Sequence, residues 1–311
     1  MNTTHSLEDR ILRMAATNVS DLPDFPDNKS DLPSDFEYDP AEYDDEEEEI
    51  VEEISENELL RYLDQQENPL SVAQRLFYHE LNTTQYQRQS DTWDLNCLTP
   101  QALEELYGTG WTELEGIVDL DTLKGAHEEA VSLQDAYVMP KDLRAEDDPF
   151  RDVSARDDAI VWLDPNNENN ALGTVDTPPY LSRILEFISG PLYHDLSKMI
   201  RLQGRTEYQL AYYHPNGARY ERHRDALPTD DPSDGNQRRV TVVLYLNPGW
   251  VAGDGGEVKI LSRTDDHGLP EGADRIVKPQ MGKILLFLSG VVDYEVLPTH
   301  KPRYALTTWL R

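Results

Sequence analysis

Residues Tyr208 to Asp225 read YQLAYYHPNGARYERHRD, and this stretch is the most informative part of the sequence. An apolar and aromatic run ends at the tight turn Asn216-Gly217, and the chain then returns to the pair His223-x-Asp225. Alternate residues of a strand share a face, so we expect one imidazole nitrogen and one carboxylate oxygen to point at the same place. These are two ligands of a 2-His-1-carboxylate facial triad, which leaves open positions on a non-haem Fe(II). The stretch therefore predicts β-structure that carries a metal site.

The C-terminal part of the chain is rich in predicted short strands, separated by clusters of Gly, Pro, Asn and Asp. The predicted strands are residues 206–213, 239–246, 256–261, 274–278, 283–288, 292–296 and 303–310. Helical patterns precede them. Helices followed by many strands at hairpin spacing favour an α+β fold, a double-sheet barrel or jelly roll braced by helices.

Residues 58–110 are predicted to form a helical lead-in to this core. Apolar residues at helical spacing predict one helix within Pro69–Leu81. A second helix is predicted to begin at Thr99-Pro100, with a capping hydroxyl and a proline in the first helical position, and to stop at Gly108.

Further elements are predicted between the lead-in and the strands. Trp111–Leu120 is predicted as a strand, followed by a helix that Asp121 caps, and Ala159–Leu163 as a short apolar strand. A long helix is predicted to open at Thr177-Pro178-Pro179. Its expected buried face comprises Leu181, Ile184, Leu185, Ile188 and Leu192.

The net charge of −32 is unevenly distributed. Residues 1–60 contain 20 Asp and Glu against 3 Lys and Arg. Residues 1–57 are therefore predicted to be a disordered acidic tail, either a solubilising segment or an interaction element for an unknown protein. The charge argues against nucleic acid and anionic membrane surfaces as direct partners.

Compartment signals are few. No apolar run approaches the roughly 20 residues needed to span a bilayer, and no secretory signal is visible. Cys97 is the only cysteine, so no disulfide can form within the chain. A reducing compartment, the cytoplasm or the nucleus, is the expected location.

Several spaced motifs follow the opening stretch in a fixed order, and they carry a family resemblance. They are the buried strand Arg239–Asn247, the glycine turn Gly253–Gly256, the run Gly282–Ser289, Tyr294–Pro298 and Arg303–Trp309. Residues 111–311 resemble the Fe(II)/2-oxoglutarate dioxygenase domain of the prolyl 4-hydroxylases, most of all the intracellular, hypoxia-sensing type. The resemblance implies a double-stranded β-helix, Fe(II) as metal, 2-oxoglutarate as cosubstrate, ascorbate as reductant and prolyl residues of a peptide or protein as substrate.

The resemblance also assigns roles to individual residues. It implies that His223 and Asp225 bind the iron and that Arg303 pairs with the far carboxylate of 2-oxoglutarate, as suits a planar, always-charged guanidinium. Another cosubstrate tyrosine of the hypoxia-sensing type corresponds to Leu244. The remaining implied roles are cosubstrate contact for Tyr213 and Thr307 and peptide groove for Tyr220 and Trp309.

Tyr294 departs from the family pattern, which has a histidine ligand at this position. A neutral imidazole binds Fe(II) without losing a proton, whereas a phenol with a pKa of about 10 must first be deprotonated. Three interpretations remain open. The iron is held by two protein ligands and water, or Tyr294 ligates it as phenolate, or the chain is a catalytically impaired pseudo-enzyme that acts as a binding or regulatory module.

Overall fold

The computed structural model describes residues 68–78, 95–140, 155–165, 173–263 and 272–311. The predicted tail, residues 1–57, lies outside these ranges, as does most of the first half of the lead-in. The division into a tail (1–57), a lead-in (58–110) and a catalytic domain (111–311) stays a prediction.

The helices of the described residues all precede the strand-rich part. They are α1 (Pro69–Gln74), α2 (Pro100–Thr109), α3 (Leu120–Ser132), α4 (Pro179–Phe187), a π-helical turn (Ile188–Leu192) and α5 (Tyr193–Ser197).

Helix α2 begins where the sequence predicts and ends later. The Thr99 hydroxyl accepts a hydrogen bond from the Ala102 amide at 3.1 Å, which confirms the predicted cap. Gly108 was the wrong stop. The helix continues through Thr109 and ends at Gly110, whose φ of 88° lies in the left-handed region that glycine adopts without steric cost.

Helix α3 is capped two residues earlier than predicted. The carboxylate of Asp119, not that of Asp121, accepts a hydrogen bond from the Thr122 amide at 2.9 Å. Asp121 lies inside the first turn. The preceding strand is consequently short and covers Trp111–Leu114 rather than reaching Leu120.

Helix α4 confirms the predicted helix and its buried face. It continues into the π-helical turn, which contains Pro191. Proline has no amide hydrogen and its ring crowds the preceding turn, so a wider turn relieves the conflict.

Eleven strands form within the described residues. They are β1 (Trp111–Leu114), β2 (Ala159–Asp164), β3 (Thr174–Asp176), β4 (Glu207–Tyr213), β5 (Tyr220–His223), β6 (Val240–Tyr245), β7 (Val258–Ile260), β8 (Arg275–Val277), β9 (Ile284–Leu288), β10 (Tyr294–Val296) and β11 (Arg303–Leu310). All seven predicted C-terminal strands are confirmed. Strand β3 was not predicted, and β5 ends at His223, so Asp225 follows the strand instead of lying on it.

The strands form two sheets. The larger has the order β1-β9-β6-β11-β4-β2-β3 and the smaller the order β5-β10-β7-β8. All neighbours are antiparallel except β2 and β3. The predicted jelly roll braced by helices is confirmed.

A cavity lies between the sheets, because residues of both line it. The larger sheet contributes β2, β4, β6, β9 and β11, and the smaller contributes β5, β7 and β10. Side chains of both sheets and of the helices pack into one apolar core around it. Among the described residues, no helix is long and apolar enough to cross a bilayer.

Candidate active site

His223 presents one unpaired nitrogen at the end of β5. Its Nδ1–H donates to the Glu221 carbonyl at 2.8 Å, and its ring stacks on Tyr220 with centroids 3.6 Å apart. Within the described part of the chain, Nε2 has no hydrogen-bond partner. Burial lowers the pKa of His223, although the nearby Asp225 charge opposes this shift. A neutral imidazole with a free Nε2 lone pair is therefore favoured.

Asp225 is held by three different strands. Its Oδ2 accepts hydrogen bonds from Thr241 Oγ1 at 2.7 Å and from Trp309 Nε1 at 2.9 Å. Its Oδ1 accepts a hydrogen bond from the Tyr294 hydroxyl at 3.0 Å. The carboxylate is fixed in one orientation, with Oδ1 3.7 Å from His223 Nε2.

Tyr294 lies directly opposite His223 in the pairing of β10 with β5. The two ring centroids are 4.2 Å apart, and the phenol is buried. Burial raises the pKa of Tyr294 well above its ordinary value, and the Asp225 charge raises it further. Tyr294 therefore acts as a hydrogen-bond donor to Asp225 in this arrangement.

The His223 and Asp225 atoms fit a divalent metal ion. Bonds from a transition metal to imidazole nitrogen and carboxylate oxygen are ~2.0–2.2 Å long, as for zinc. The 3.7 Å separation is too long for a hydrogen bond and short enough for one ion to touch both atoms. The described residues contain no cluster of three or more His, Cys, Asp and Glu side chains that could hold a metal. At the position where the family pattern has the third ligand, the structure has the phenol of Tyr294, which donates a hydrogen bond to Asp225.

Arg303 is a buried cation at the start of β11, and only part of its hydrogen-bonding capacity is used. Its Nε donates to the Gly256 carbonyl at 2.8 Å, and its guanidinium lies 4.6 Å from the Tyr213 ring centroid. No carboxylate of the described residues pairs with it. An unpaired buried charge is costly, so a cavity that contains one is suited to an anionic ligand.

Gly256 makes room for this arginine. Its φ is +75°, and a Cβ built there would lie 2.7 Å from Arg303 Cδ. The glycine turn after β6 therefore has a specific steric purpose, which is to let the arginine side chain pass close to the backbone.

Tyr245 lies beside Arg303, and the family resemblance did not assign it a role. Its ring centroid lies 5.4 Å from the Arg303 guanidinium, and its fully buried hydroxyl has no partner among the residues described. Leu244 was the wrong match for the cosubstrate tyrosine. Val243 lines the cavity, so Tyr245 shares its face of β6 and Leu244 points to the other side. Because side chains alternate between the two faces of a strand, a cavity-facing Val243 implies a cavity-facing Tyr245.

One face of β11 lines the cavity along its whole length. Alternate residues Arg303, Ala305, Thr307 and Trp309 point into it, as the period of two requires. Tyr213 and Tyr220 complete the set of predicted site residues, all of which surround this cavity or contact those that do. Trp309 has a further contact that was not predicted, its hydrogen bond to Asp225.

A buried ion pair forms part of the same wall. Arg156 Nε and Nη2 both donate to the Asp158 carboxylate at 2.7 Å, and the guanidinium lies 4.4 Å from the Tyr220 ring centroid. Asp158 is fully buried. This bidentate pair fixes Tyr220, which in turn stacks on His223.

Residues 208–311 match the family model described as 2OG-Fe(II) oxygenase superfamily. The matched residues make up about a third of the chain. It is 30% identical over 167 residues to Egl nine homolog 1 of Rattus norvegicus, covering 52% of this chain and 43% of the relative. It is 24% identical over 222 residues to the hypoxia-inducible factor prolyl hydroxylase of Caenorhabditis elegans, covering 69% of this chain and 28% of the relative. The chain thus spans less than half the length of these relatives.

Solved structures of prolyl hydroxylases share the fold. A prolyl-4-hydroxylase of Pseudomonas putida has a TM-score of 0.52 at 26% identity, covering 68% of this chain and 97% of that chain. A prolyl hydroxylase of Trichoplax adhaerens, in complex with a hypoxia inducible factor peptide fragment, has a TM-score of 0.51 at 22% identity, with 74% and 93% covered. The predicted resemblance to the prolyl hydroxylase type is confirmed.

Proposed function

We propose that this chain is an Fe(II)- and 2-oxoglutarate-dependent dioxygenase that hydroxylates prolyl residues in a protein or peptide. One observation carries the proposal. A buried arginine without a carboxylate partner among the described residues lines a cavity. The walls of this cavity contact the His223 imidazole, which has an unpaired nitrogen, and the anchored Asp225 carboxylate. An anion and a metal ion would satisfy these groups together.

His223 Nε2 and Asp225 Oδ1 would hold the iron, and Tyr294 would stand beside it. Thr241, Trp309 and Tyr294 orient the carboxylate before the metal arrives, which reduces the cost of assembling the site. When bound, Fe(II) and 2-oxoglutarate supply the O₂ activation needed to hydroxylate an unactivated C–H bond, with ascorbate as the reductant that maintains the iron.

Arg303 would bind the far carboxylate of 2-oxoglutarate. Its Nε is occupied by the Gly256 carbonyl, so its terminal nitrogens remain for the ligand. Tyr245 adds an unpaired hydroxyl next to them, and Tyr213 and Thr307 line the same space. Together these residues favour a dicarboxylate held in a fixed direction relative to His223.

Tyr220 and Trp309 would form the walls of the peptide groove. Trp309 packs against Trp162 with centroids 5.8 Å apart, and the Arg238 guanidinium lies 3.9 Å from its ring centroid. These flat apolar and aromatic surfaces suit a proline ring and exclude water from the reacting bond. We place the activity in the cytoplasm or nucleus, with the acidic segment 1–57 as an interaction element.

The test compares the native chain with Tyr294→His and Tyr294→Phe. Iron content and 2-oxoglutarate-dependent succinate formation are measured for each protein. We expect the native chain to bind iron and to form succinate. We expect Tyr294→His to bind iron at least as tightly as the native chain does. Succinate formation by Tyr294→His alone would overturn the proposal and show that the native chain is a pseudo-enzyme.

The same experiment decides the role of Tyr294. A visible phenolate-to-iron charge-transfer band in the native protein, lost in Tyr294→Phe, would show ligation by Tyr294. Equal iron binding by the native chain and Tyr294→Phe, without such a band, would show that His223 and Asp225 are the protein ligands.

A further inference from the structure

A second cavity, of about 480 Å³, is lined by four arginines: Arg222, Arg224, Arg263 and Arg275. We call it the arginine pocket. It lies beside the turn that leads into β10, and its wall includes residues from the ends of β7 and α2. None of its lining residues lines the cavity around Arg303.

Two of the arginines are held in place by Asp293. Arg224 Nε donates to Asp293 Oδ1 at 2.7 Å, and Arg222 Nη2 donates to Asp293 Oδ2. Arg222 precedes His223 on β5 and therefore points to the opposite face of that strand. The Asp293 carboxylate thus fixes two guanidinium groups on the side of the small sheet that faces away from His223.

The other two arginines have no ion pair with any residue in the described ranges. Arg275 is exposed on β8, whereas Arg263 has its Nη1 atom buried without an acceptor. Leaving a charged donor buried and unsatisfied is costly, so its persistence indicates a place for an external acceptor.

The lining of the arginine pocket is positively charged, whereas the chain as a whole is strongly negative. Its described lining residues include four arginines and one carboxylate, that of Asp293, in a protein whose net charge is −32. Guanidinium groups bind phosphate and carboxylate oxygens in pairs, and several of them around one concavity favour a ligand with several such groups. The volume is within the range of roughly 300–1,000 Å³ that is typical of small-molecule sites.

We propose that the arginine pocket is a binding site for a small polyanion, a ligand that carries two or more phosphate or carboxylate groups. It is separate from the 2-oxoglutarate site and does not depend on the dioxygenase activity. Because salt screens these charges, affinity should fall as ionic strength rises.

The experiment measures binding to the full chain by isothermal titration calorimetry, with tripolyphosphate as the phosphate probe and citrate as the carboxylate probe. Arg263→Gln and Arg275→Gln each remove one guanidinium. The matched control is Arg183→Gln, an exposed arginine on α4 that lies over the Tyr180 ring and outside the pocket. We expect at least one probe to bind the native chain. Its affinity should fall about tenfold in each pocket variant, as for loss of one charged hydrogen bond. Its affinity for the control variant should be unchanged.

Which probe binds more tightly identifies the ligand as a phosphate or a carboxylate compound. Absence of binding by both probes would overturn the proposal. So would affinity unchanged by both pocket substitutions, since the heat would then come from another site, such as the cavity around Arg303.

Discussion

Replacing Gly256 by alanine should impair the proposed 2-oxoglutarate site through a single methyl group. The new Cβ would lie 2.7 Å from Arg303 Cδ and 3.1 Å from Thr299 Oγ1, and the residue would keep a φ of +75°. The arginine must therefore shift, and the residue must adopt a left-handed conformation that costs an L-amino acid about 1–2 kcal/mol. Overpacking against the buried side chain adds about 1–3 kcal/mol.

Gly253→Ala separates these two contributions. Gly253 also has positive φ, +100°, but no atom lies within 4 Å of a Cβ built there. Urea denaturation should show about 1–2 kcal/mol of destabilisation for Gly253→Ala, from backbone strain alone, and a further ~1–3 kcal/mol for Gly256→Ala.

Cosubstrate binding is the second readout. Calorimetric titration of 2-oxoglutarate, with Mn(II) as a redox-inert metal, should show about tenfold or greater loss of affinity for Gly256→Ala, the equivalent of ~1.4 kcal/mol, and none for Gly253→Ala. If the two variants lose the same stability and bind 2-oxoglutarate equally well, the claim that Gly256 exists to accommodate Arg303 is wrong.

Three further predictions concern buried polar groups. Thr241→Val removes one donor to Asp225 and should weaken Mn(II) affinity about tenfold, whereas Thr308→Val, which removes a buried hydroxyl without a partner among the described residues, should leave it unchanged in the same titration. Asp158→Asn breaks the buried pair with Arg156 and should cost about 3–5 kcal/mol in urea denaturation. Asp157→Asn, at a half-exposed side chain, should change stability by less than ~0.5 kcal/mol, and similar values for both variants would refute the structural role of the pair. Burial raises the pKa of Asp195, but the amides of Leu98, Asn96 and Cys97 outweigh it and hold that pKa below its usual value. This carboxylate therefore contributes stability above its unfolded pKa that is lost as pH falls through the lower folded pKa, and Asp195→Asn should flatten the acid limb of the stability profile measured from pH 7 to pH 2.

The larger sheet could be predicted from the sequence because its central strands are apolar along their whole length. Residues of β6 and β9 are buried on both faces and read as continuous apolar runs, and their bounds were predicted within two residues. Strand β3 could not be predicted, because its three residues are partly exposed and it exists through parallel pairing with β2.

The proximity of His223 and Asp225 could be predicted from the sequence, but their surroundings could not. The spacing of His223 and Asp225 is a local pattern, whereas the donors that fix Asp225 come from β6, β10 and β11 and meet only in the folded sheet. The partner of Arg303 is a backbone carbonyl, which leaves no trace in side-chain composition.

The central claim is that the cavity around His223, Asp225 and Arg303 is a working Fe(II)- and 2-oxoglutarate-dependent site. The most direct test is Fe(II)-dependent conversion of 2-oxoglutarate into succinate by the native 311-residue chain, measured beside Arg303→Gln. We expect succinate from the native chain only when Fe(II) is present, and a KM for 2-oxoglutarate raised at least tenfold in Arg303→Gln, because a buried charge pair is lost. No succinate from the iron-loaded native chain, or equal kinetics for both proteins, would contradict the account.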